Sequence, residues 1–335
     1  MKAIQINKFG IDQLTLVDVA KPVPGAHEVL IKMEAASLNF LETALVKGLY
    51  GAIAFPFTPS SEGAGVVEAV GEAVTAWKPG DRVTTHYNQL WQSGKAAPHT
   101  QTRSTGNNTP GVLAEYYVMP DYALVRTPAN LTSVESATLP VAAVTAWTGL
   151  MEYANIQPGQ TVLTQGSGGV SLFALQIARA AGARVIATTG DAGKVERLKA
   201  LGASEVINYK EHPEWYKEVK RLTNGEGVHA TLDIAGTSTI DNSIKSVAHH
   251  GFVGLVGFMT GMSLPMDFMS LWQSLARIQA YSVGSKASLQ QVANTFEYNG
   301  IKPVIDSVYD LSTVQEAFYH LESGKQFGKI VVEIK

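Results

Sequence analysis

A chain of 335 residues exceeds one ordinary core, so two domains are expected. The absence of cysteine excludes disulfides, iron–sulfur clusters and cysteine-ligated zinc. A net charge of −3 without basic blocks argues against a nucleic-acid footprint, and 45% hydrophobic residues suit large buried sheets. Residues 1–19 read as two alternating strands around Phe9-Gly10, with no charged-then-apolar leader. No apolar run reaches membrane-spanning length, so a soluble cytoplasmic protein with no membrane partner is expected.

Residues 1 to about 125 are rich in strands and turns. A strand is expected over 28–36, a curved, glycine-relieved strand over 63–71, and a turn into a strand over 78–83. The polar stretch 92–111 reads as a long loop or lobe, functional or mobile. After Leu124 the pattern alternates. Helical signals cover 134–153, 172–181, 194–201, 213–223 and 239–247, and strands cover 162–164, 184–189, 205–208, 230–234, 251–256 and 278–283. Such alternation implies a parallel sheet with helices on both faces. The tail, 304–335, returns to strand–helix–strand.

The most informative stretch is 161–189. A β-branched run ends at Gly166, a helix begins near Val170, and Gly182 is its expected C-terminal cap before the next strand. Gly166 permits a sharp exit from the strand. Gly168, without a Cβ, lets a pyrophosphate approach the backbone. Ser167, Gly169 and Val170 complete a turn whose free N–H groups and helix dipole favour the anion. Ser171 stands where Gly or Ala is usual and is small enough for close helix–strand packing. The unit is a dinucleotide cradle.

The layout resembles the medium-chain dehydrogenase/reductase superfamily over nearly the whole chain. The matching strings are Glu62-Gly63-Ala64-Gly65-Val66-Val67, Val74 with Trp77-Lys78-Pro79-Gly80-Asp81-Arg82-Val83, Gly111-Val112-Leu113-Ala114-Glu115-Tyr116, Leu139-Pro140 through Thr145-Ala146-Trp147, and Gly328-Lys329-Ile330-Val331. Ser37-Leu38-Asn39-Phe40-Leu41-Glu42 and Lys47-Gly48-Leu49-Tyr50 resemble its zinc-free quinone oxidoreductase branch. The resemblance implies a two-domain α/β protein. A β-rich GroES-like substrate domain, a partly open barrel, would span 1–125 and 285–335, and a Rossmann nucleotide domain 126–284, with the active site in their cleft. It also implies a homodimer, joined near the strand at 278–283. Zinc-dependent relatives of this type carry a cysteine where Asn39 stands, a histidine where Ser61 stands, and a cysteine or acid near Val141. Residues 92–111 then look like a metal-free remnant of a zinc lobe. None of the eight histidines has the spacing of a helical metal pair, so no bound metal is expected.

An NAD site usually places a carboxylate at the end of the second strand. Thr189 stands there, so a 2′-phosphate meets no like charge. Lys194 offers a cation, or is a solvated residue of a first helical turn. Asp191 could instead turn to the ribose and restore a preference for NADH. By the resemblance, Tyr209 matches a phosphate-side tyrosine and Thr145 approaches the nicotinamide. Gly236, Gly257, Phe258, Val283 and Ser285 would line the same end of the cofactor. Thr145 could equally cap a turn, and the glycines mark strand ends. NADPH is the expected cofactor.

Without zinc to polarise a carbonyl, substrates already polarised are favoured: quinones and α,β-unsaturated carbonyls. Hydrogen-bond donors near the oxygen that gains charge lower the barrier, and the proton comes from a side chain or water. Asn39 and Tyr50 are the candidate catalytic residues. Asn39 with Glu42 also has the spacing of a capping box, and Tyr50 could be only a cleft-wall aromatic. The expected activity is NADPH-dependent reduction of a small electrophile. A low-turnover NADPH-binding protein and a zinc-free alcohol dehydrogenase are the alternatives.

Overall fold

The computed structural model describes residues 1–51 and 53–335, and these form two compact units. The first comprises Met1–Val144 and Gly284–Lys335; the second comprises Thr145–Val283.

The first unit opens with β1 (Lys2–Gln5) and β2 (Thr15–Asp18), an antiparallel pair. It continues with β3 (Glu28–Leu38), α1 (Phe40–Val46), β4 (Glu62–Val70), β5 (Arg82–Thr85), β6 (Tyr116–Pro120), β7 (Leu124–Arg126) and α2 (Ser133–Ser136). The second unit holds most of α3 (Val144–Trp147), then β8 (Thr161–Gln165), α4 (Gly169–Ala180), β9 (Arg184–Thr189), α5 (Val195–Ala200) and β10 (Glu205–Asn208). It ends with α6 (Trp215–Leu222), β11 (Val228–Asp233), α7 (Ile240–Ser246), β12 (Val247–Leu255), α8 (Phe268–Ser274) and β13 (Arg277–Ala280). The chain returns to the first unit through α9 (Lys286–Tyr298), β14 (Ile305–Asp310), α10 (Val314–Ser323) and β15 (Lys329–Glu333).

In the first unit one sheet runs β14-β15-β3-β4-β5-β7, with β6 also paired to β3. The long strand β3 is its spine, antiparallel to β4, β6 and β15. Register shifts in the β3–β4 pairing bend the sheet as bulges do. The glycines of β4 permit this: a Cβ on Gly65 would stand 2.1 Å from the Lys32 carbonyl oxygen. Ile4, Val29, Ile31, Met33, Leu113 and Phe318 pack in the core of this unit.

The second unit is a six-stranded parallel sheet in the order β10-β9-β8-β11-β12-β13. Strand order reverses beside β8, which places the end of that strand at the topological switch point. Every residue of β8 is buried, as a central parallel strand requires. Helix α4 buries Leu172, Phe173, Leu175 and Ile177, and Gly182 follows it at φ 78°.

The structure departs from three expectations. Residues 126–144, which the resemblance assigns to the nucleotide domain, lie in the first compact unit, where α2 packs against β3 and β4. The helix expected over 134–153 is broken: wide π-type turns at Leu139–Ala143 and Thr148–Tyr153 flank α3. Two groups bond this stretch from outside, Glu62 to the Val141 N–H and the Tyr281 hydroxyl to the Thr145 carbonyl. Finally, α8 and α9 were not among the expected helices, and the strand expected over 278–283 ends at Ala280.

Candidate active site

In the second unit the cradle forms from contiguous residues. Gly166 leaves β8 at φ 76° and donates its N–H to the Thr188 carbonyl at 2.9 Å. Ser167 is buried, and Gly168 is the N-cap of α4. Gly168 has no side chain to cap with, and a Cβ there would meet nothing within 4 Å. The first-turn N–H groups of Gly169, Val170 and Ser171 have no acceptor within the helix, so they suit an anion approaching from that open side. The Ser171 hydroxyl donates to the Gln165 carbonyl at 2.5 Å, tying helix to strand where a glycine would only pack.

A buried network carries this turn to the next loop. Gln165 Nε2 donates to Ser243 Oγ at 2.7 Å, and Ser243 donates to Asp233 Oδ2 at 2.6 Å. The fully buried Asp233 accepts from the Gly236 N–H at 2.8 Å and the Thr239 hydroxyl at 2.7 Å. Asp233, which the sequence reading did not single out, closes the apolar strand β11 and anchors the Gly236 loop through these bonds. Gly236 sits at φ 88°, and a Cβ on Gly257 would lie 1.8 Å from the Ile234 carbonyl oxygen. Gly236, Gly257 and the half-buried Phe258 are thus brought together. Thr145 is buried, its carbonyl held by Tyr281 at 3.0 Å. Val283 adopts φ 48°, an unusual conformation for a β-branched residue. The Ser285 hydroxyl caps α9 by accepting the Ser288 N–H at 3.1 Å, which gives it a structural role.

The rim after β9 gathers Thr189, Asp191, Lys194 and Tyr209. Thr189 Oγ1 accepts the Asp191 N–H at 3.1 Å, and the Tyr209 N–H reaches the Thr189 carbonyl at 3.0 Å. The carboxylate of Asp191 caps the short turn Ala192–Lys194, accepting the Gly193 N–H at 2.9 Å. The Tyr209 ring packs directly over Gly190, where a Cβ would stand 2.4 Å from it.

In the first unit Asn39 lies within a buried polar cluster. The register of β15 on β3 pairs Ile330 with Leu38 and so sets Lys329 beside Asn39. The Lys329 ammonium donates to the Leu38 carbonyl at 2.7 Å, Asn39 Oδ1 at 2.6 Å and Glu62 Oε1 at 2.8 Å. These satisfy its three N–H donors. Glu62 Oε1 also accepts from Asn39 Nδ2 at 2.8 Å, and Glu62 Oε2 accepts the Val141 N–H at 2.7 Å. Lys329 is 3% exposed and Glu62 fully buried, so each charge depends on the other.

The Asn39 amide is thereby held at both ends, and its side chain makes no capping hydrogen bond to α1. Glu42 does reach back to the Asn39 N–H, at 2.7 Å. Its other oxygen accepts the Ser61 N–H at 3.0 Å and the Ser61 hydroxyl. Burial raises the Glu42 pKa, Ser61 offsets part, the Glu62 charge adds to the rise, and Lys329 opposes it. Tyr50 is 38% exposed, after α1 in the same unit. Tyr87, whose hydroxyl burial pushes up to about 12, feels both Tyr50 and Glu42.

This donor set does not suit zinc. An amide, a hydroxyl and an apolar side chain stand at Asn39, Ser61 and Val141, and an ammonium already lies 2.6 Å from the amide oxygen. Among the described residues, no group of three His, Cys, Asp or Glu side chains is arranged to hold a metal ion.

Comparison with known proteins agrees with both units. Residues 25–129 match the alcohol dehydrogenase GroES-like domain, and residues 169–298 match a family described as zinc-binding dehydrogenase. A zinc-type alcohol dehydrogenase-like protein of Schizosaccharomyces pombe is 37% identical, covering 97% of this chain and 96% of its own. The chain belongs to the medium-chain dehydrogenase/reductase superfamily. Its place is in the quinone oxidoreductase-like branch: the human quinone oxidoreductase is 30% identical, over 99% of this chain and 97% of its own. A crystal structure of a provisionally assigned alcohol dehydrogenase from Sinorhizobium meliloti superimposes with a TM-score of 0.93 at 36% identity, covering 99% of this chain and 98% of that one. The protein is thus an oxidoreductase of this superfamily with a GroES-like and a Rossmann-like part.

Proposed function

We propose that this oxidoreductase uses NADPH to reduce quinones or α,β-unsaturated carbonyls, with no catalytic metal. The observation that carries this reading is the Lys329 ammonium bonded to Asn39 and Glu62, in a cluster whose other donors are poor zinc ligands. The reduced nicotinamide, when bound, supplies the hydride. Gly166, Ser167, Gly168, Gly169 and Val170 would hold its pyrophosphate, and Thr145, Gly236, Gly257, Phe258, Val283 and Ser285 would surround its other end. The preference for NADPH is supported by Thr189 and by Asp191, whose carboxylate is committed to a turn and not turned toward a ribose. Lys194 and Tyr209 would contact the 2′-phosphate.

Asn39 would act as donor. One amide N–H is engaged by Glu62, and the other is available to a substrate oxygen as negative charge develops there. Because Lys329 fixes the amide oxygen, the donor is oriented before substrate arrives. Tyr50 would add a phenolic donor. The names of two relatives favour a second reading, oxidation of an alcohol with the same cofactor class.

The test measures NADPH and NADH consumption, with excess chelator, over a panel of quinones and enones, and alcohol oxidation in parallel. Turnover with NADPH under chelation is the expected result. Alcohol oxidation restored by zinc would replace the proposal, and tight NADPH binding without any turnover would favour the low-turnover alternative.

We infer likewise a homodimer joined along β13. That strand is an edge of its sheet, and Phe268, Met269 and Trp272 of the preceding α8 are exposed. Light scattering tests it; a monomer at micromolar concentration would refute it.

A further inference from the structure

Two loops meet at the rim of the second unit. Asn208, the last residue of β10, pairs with Thr189, the last residue of β9. The next N–H, that of Tyr209, reaches the Thr189 carbonyl at 3.0 Å. Asn208 also locks the turn that follows. Its carbonyl accepts the N–H groups of Glu211 and His212 at 3.1 and 2.9 Å, and its side-chain oxygen accepts that of Lys210 at 3.1 Å. The Tyr209 main chain is thus fixed on both sides, and its ring lies across Gly190.

A Cβ at Gly190 would stand 2.4 Å from both Cζ and the hydroxyl oxygen of Tyr209, so the hydroxyl end of the ring is the part that covers the glycine. That end rests against the first residue after β9. In a doubly wound sheet the group that reads the 2′ position of the adenosine ribose sits at this strand end. Thr189, not a carboxylate, closes the strand, and the Asp191 carboxylate is bound to the Gly193 N–H at 2.9 Å. Tyr209 is 43% exposed, and its hydroxyl makes no hydrogen bond with a described residue. Its O–H can therefore donate to a phosphate oxygen.

We propose that Gly190 is a positioning residue for NADPH selectivity: by lacking a side chain, it lets the Tyr209 hydroxyl stand where the 2′-phosphate binds. This rests on the NADPH reading above. The effect is steric and local. Gly190 lies outside the left-handed region of the backbone, so alanine enters without backbone strain. The atoms its Cβ would meet belong to the tip of an exposed side chain, which turns toward water more easily than the main chain shifts. Alanine therefore displaces the hydroxyl and leaves the fold intact. NADH carries no 2′-phosphate, so its binding does not register the loss.

The test is nucleotide binding, followed by fluorescence titration, in the unsubstituted protein, Gly190→Ala, Tyr209→Phe and the double variant. Tyr209→Phe removes the hydroxyl and keeps the ring. Each single substitution should raise the Kd for NADPH roughly tenfold, the weaker end for a hydrogen bond to a charged group, and leave the Kd for NADH unchanged. The double variant should bind NADPH no more weakly than Tyr209→Phe alone, because Gly190 acts only through that hydroxyl. The NADH affinity serves as the check of folding: equal weakening of both nucleotides by Gly190→Ala would mark a structural role and overturn the proposal. Unchanged selectivity in Gly190→Ala, in a protein where Tyr209→Phe lowers it, overturns the positioning role and leaves the NADPH reading in place. Losses that add in the double variant overturn it as well, since Gly190 would then act on its own. An unsubstituted protein that binds NADH as tightly as NADPH overturns the NADPH reading itself, and this inference with it.

Discussion

His86 makes the stability of the first unit depend on acidity in a calculable way. Its ring is fully buried, and neither nitrogen meets hydrogen-bond geometry with a described residue. Burial above all, with the Lys286 charge adding to it and the Trp91 backbone offsetting only part, lowers its pKa to about 3. The folded protein therefore holds His86 neutral, while an unfolded chain protonates it below its ordinary value of 6.5. The stabilisation is complete above that value and is lost as pH falls from it toward 3. At pH 5 the loss is about 2 kcal/mol, from 1.36 kcal/mol for each unit of pH below the unfolded value. Glu42, with its raised pKa, works in the opposite sense, gaining stability as pH falls, so the bare pH dependence mixes the two. The difference between the protein and His86→Leu separates them. Urea unfolding of both at pH 7 and pH 5 should show the gap between them shifting by about 2 kcal/mol in favour of the variant at the lower pH. Parallel pH dependence in the two proteins would refute a neutral, buried His86.

Other expectations follow from the same networks. Lys329→Met should destabilise the first unit by about 3–5 kcal/mol in urea unfolding, because it strands the Glu62 carboxylate, and Glu62→Gln added to it should recover part of the loss. Lys194→Ala should raise the Kd for NADPH more than that for NADH in fluorescence titrations; equal weakening would remove the argument for a 2′-phosphate contact. Asp233→Asn should cost about 1–3 kcal/mol and weaken binding of either nucleotide, since it disturbs acceptors for Gly236 and Thr239. Unaltered affinity there would mean the Gly236 loop holds its shape without the carboxylate.

Where the sequence reading fell short, the cause was the reach of the interactions. Asn39 was ambiguous between capping and catalysis because Glu42 stands three residues on in either case. Glu42 does serve the cap, while the Asn39 amide turns to partners far away in the chain. Lys329 belonged to a string that marked the family, yet a lysine opening an apolar strand carries no periodic signal of its role. The break in the helix over 134–153 had a similar origin, since the groups that bond it from outside are Glu62 and Tyr281. Ser285, expected at the cofactor, showed a local structural use that its neighbour Ser288 already implied.

The sequence by itself determined the strand–glycine turn–helix–strand unit and the doubly wound sheet around it. Strand, glycine turn, helix and second strand are contiguous from Thr161 to Thr189, and backbone preferences and burial periodicity act over just such distances. That Asn39, Ser61 and Val141 are not zinc-type donors was equally legible, because it needs only the identity of residues. The tertiary structure alone decided which partners the cluster around Asn39 meets. Pairing of β15 with β3 brings Lys329 to Asn39 across 290 residues, and β4 sets Glu62 against both. A buried charge is tolerated only where a partner meets it, and which partner does so is fixed by strand register, not by any property of the neighbouring residues.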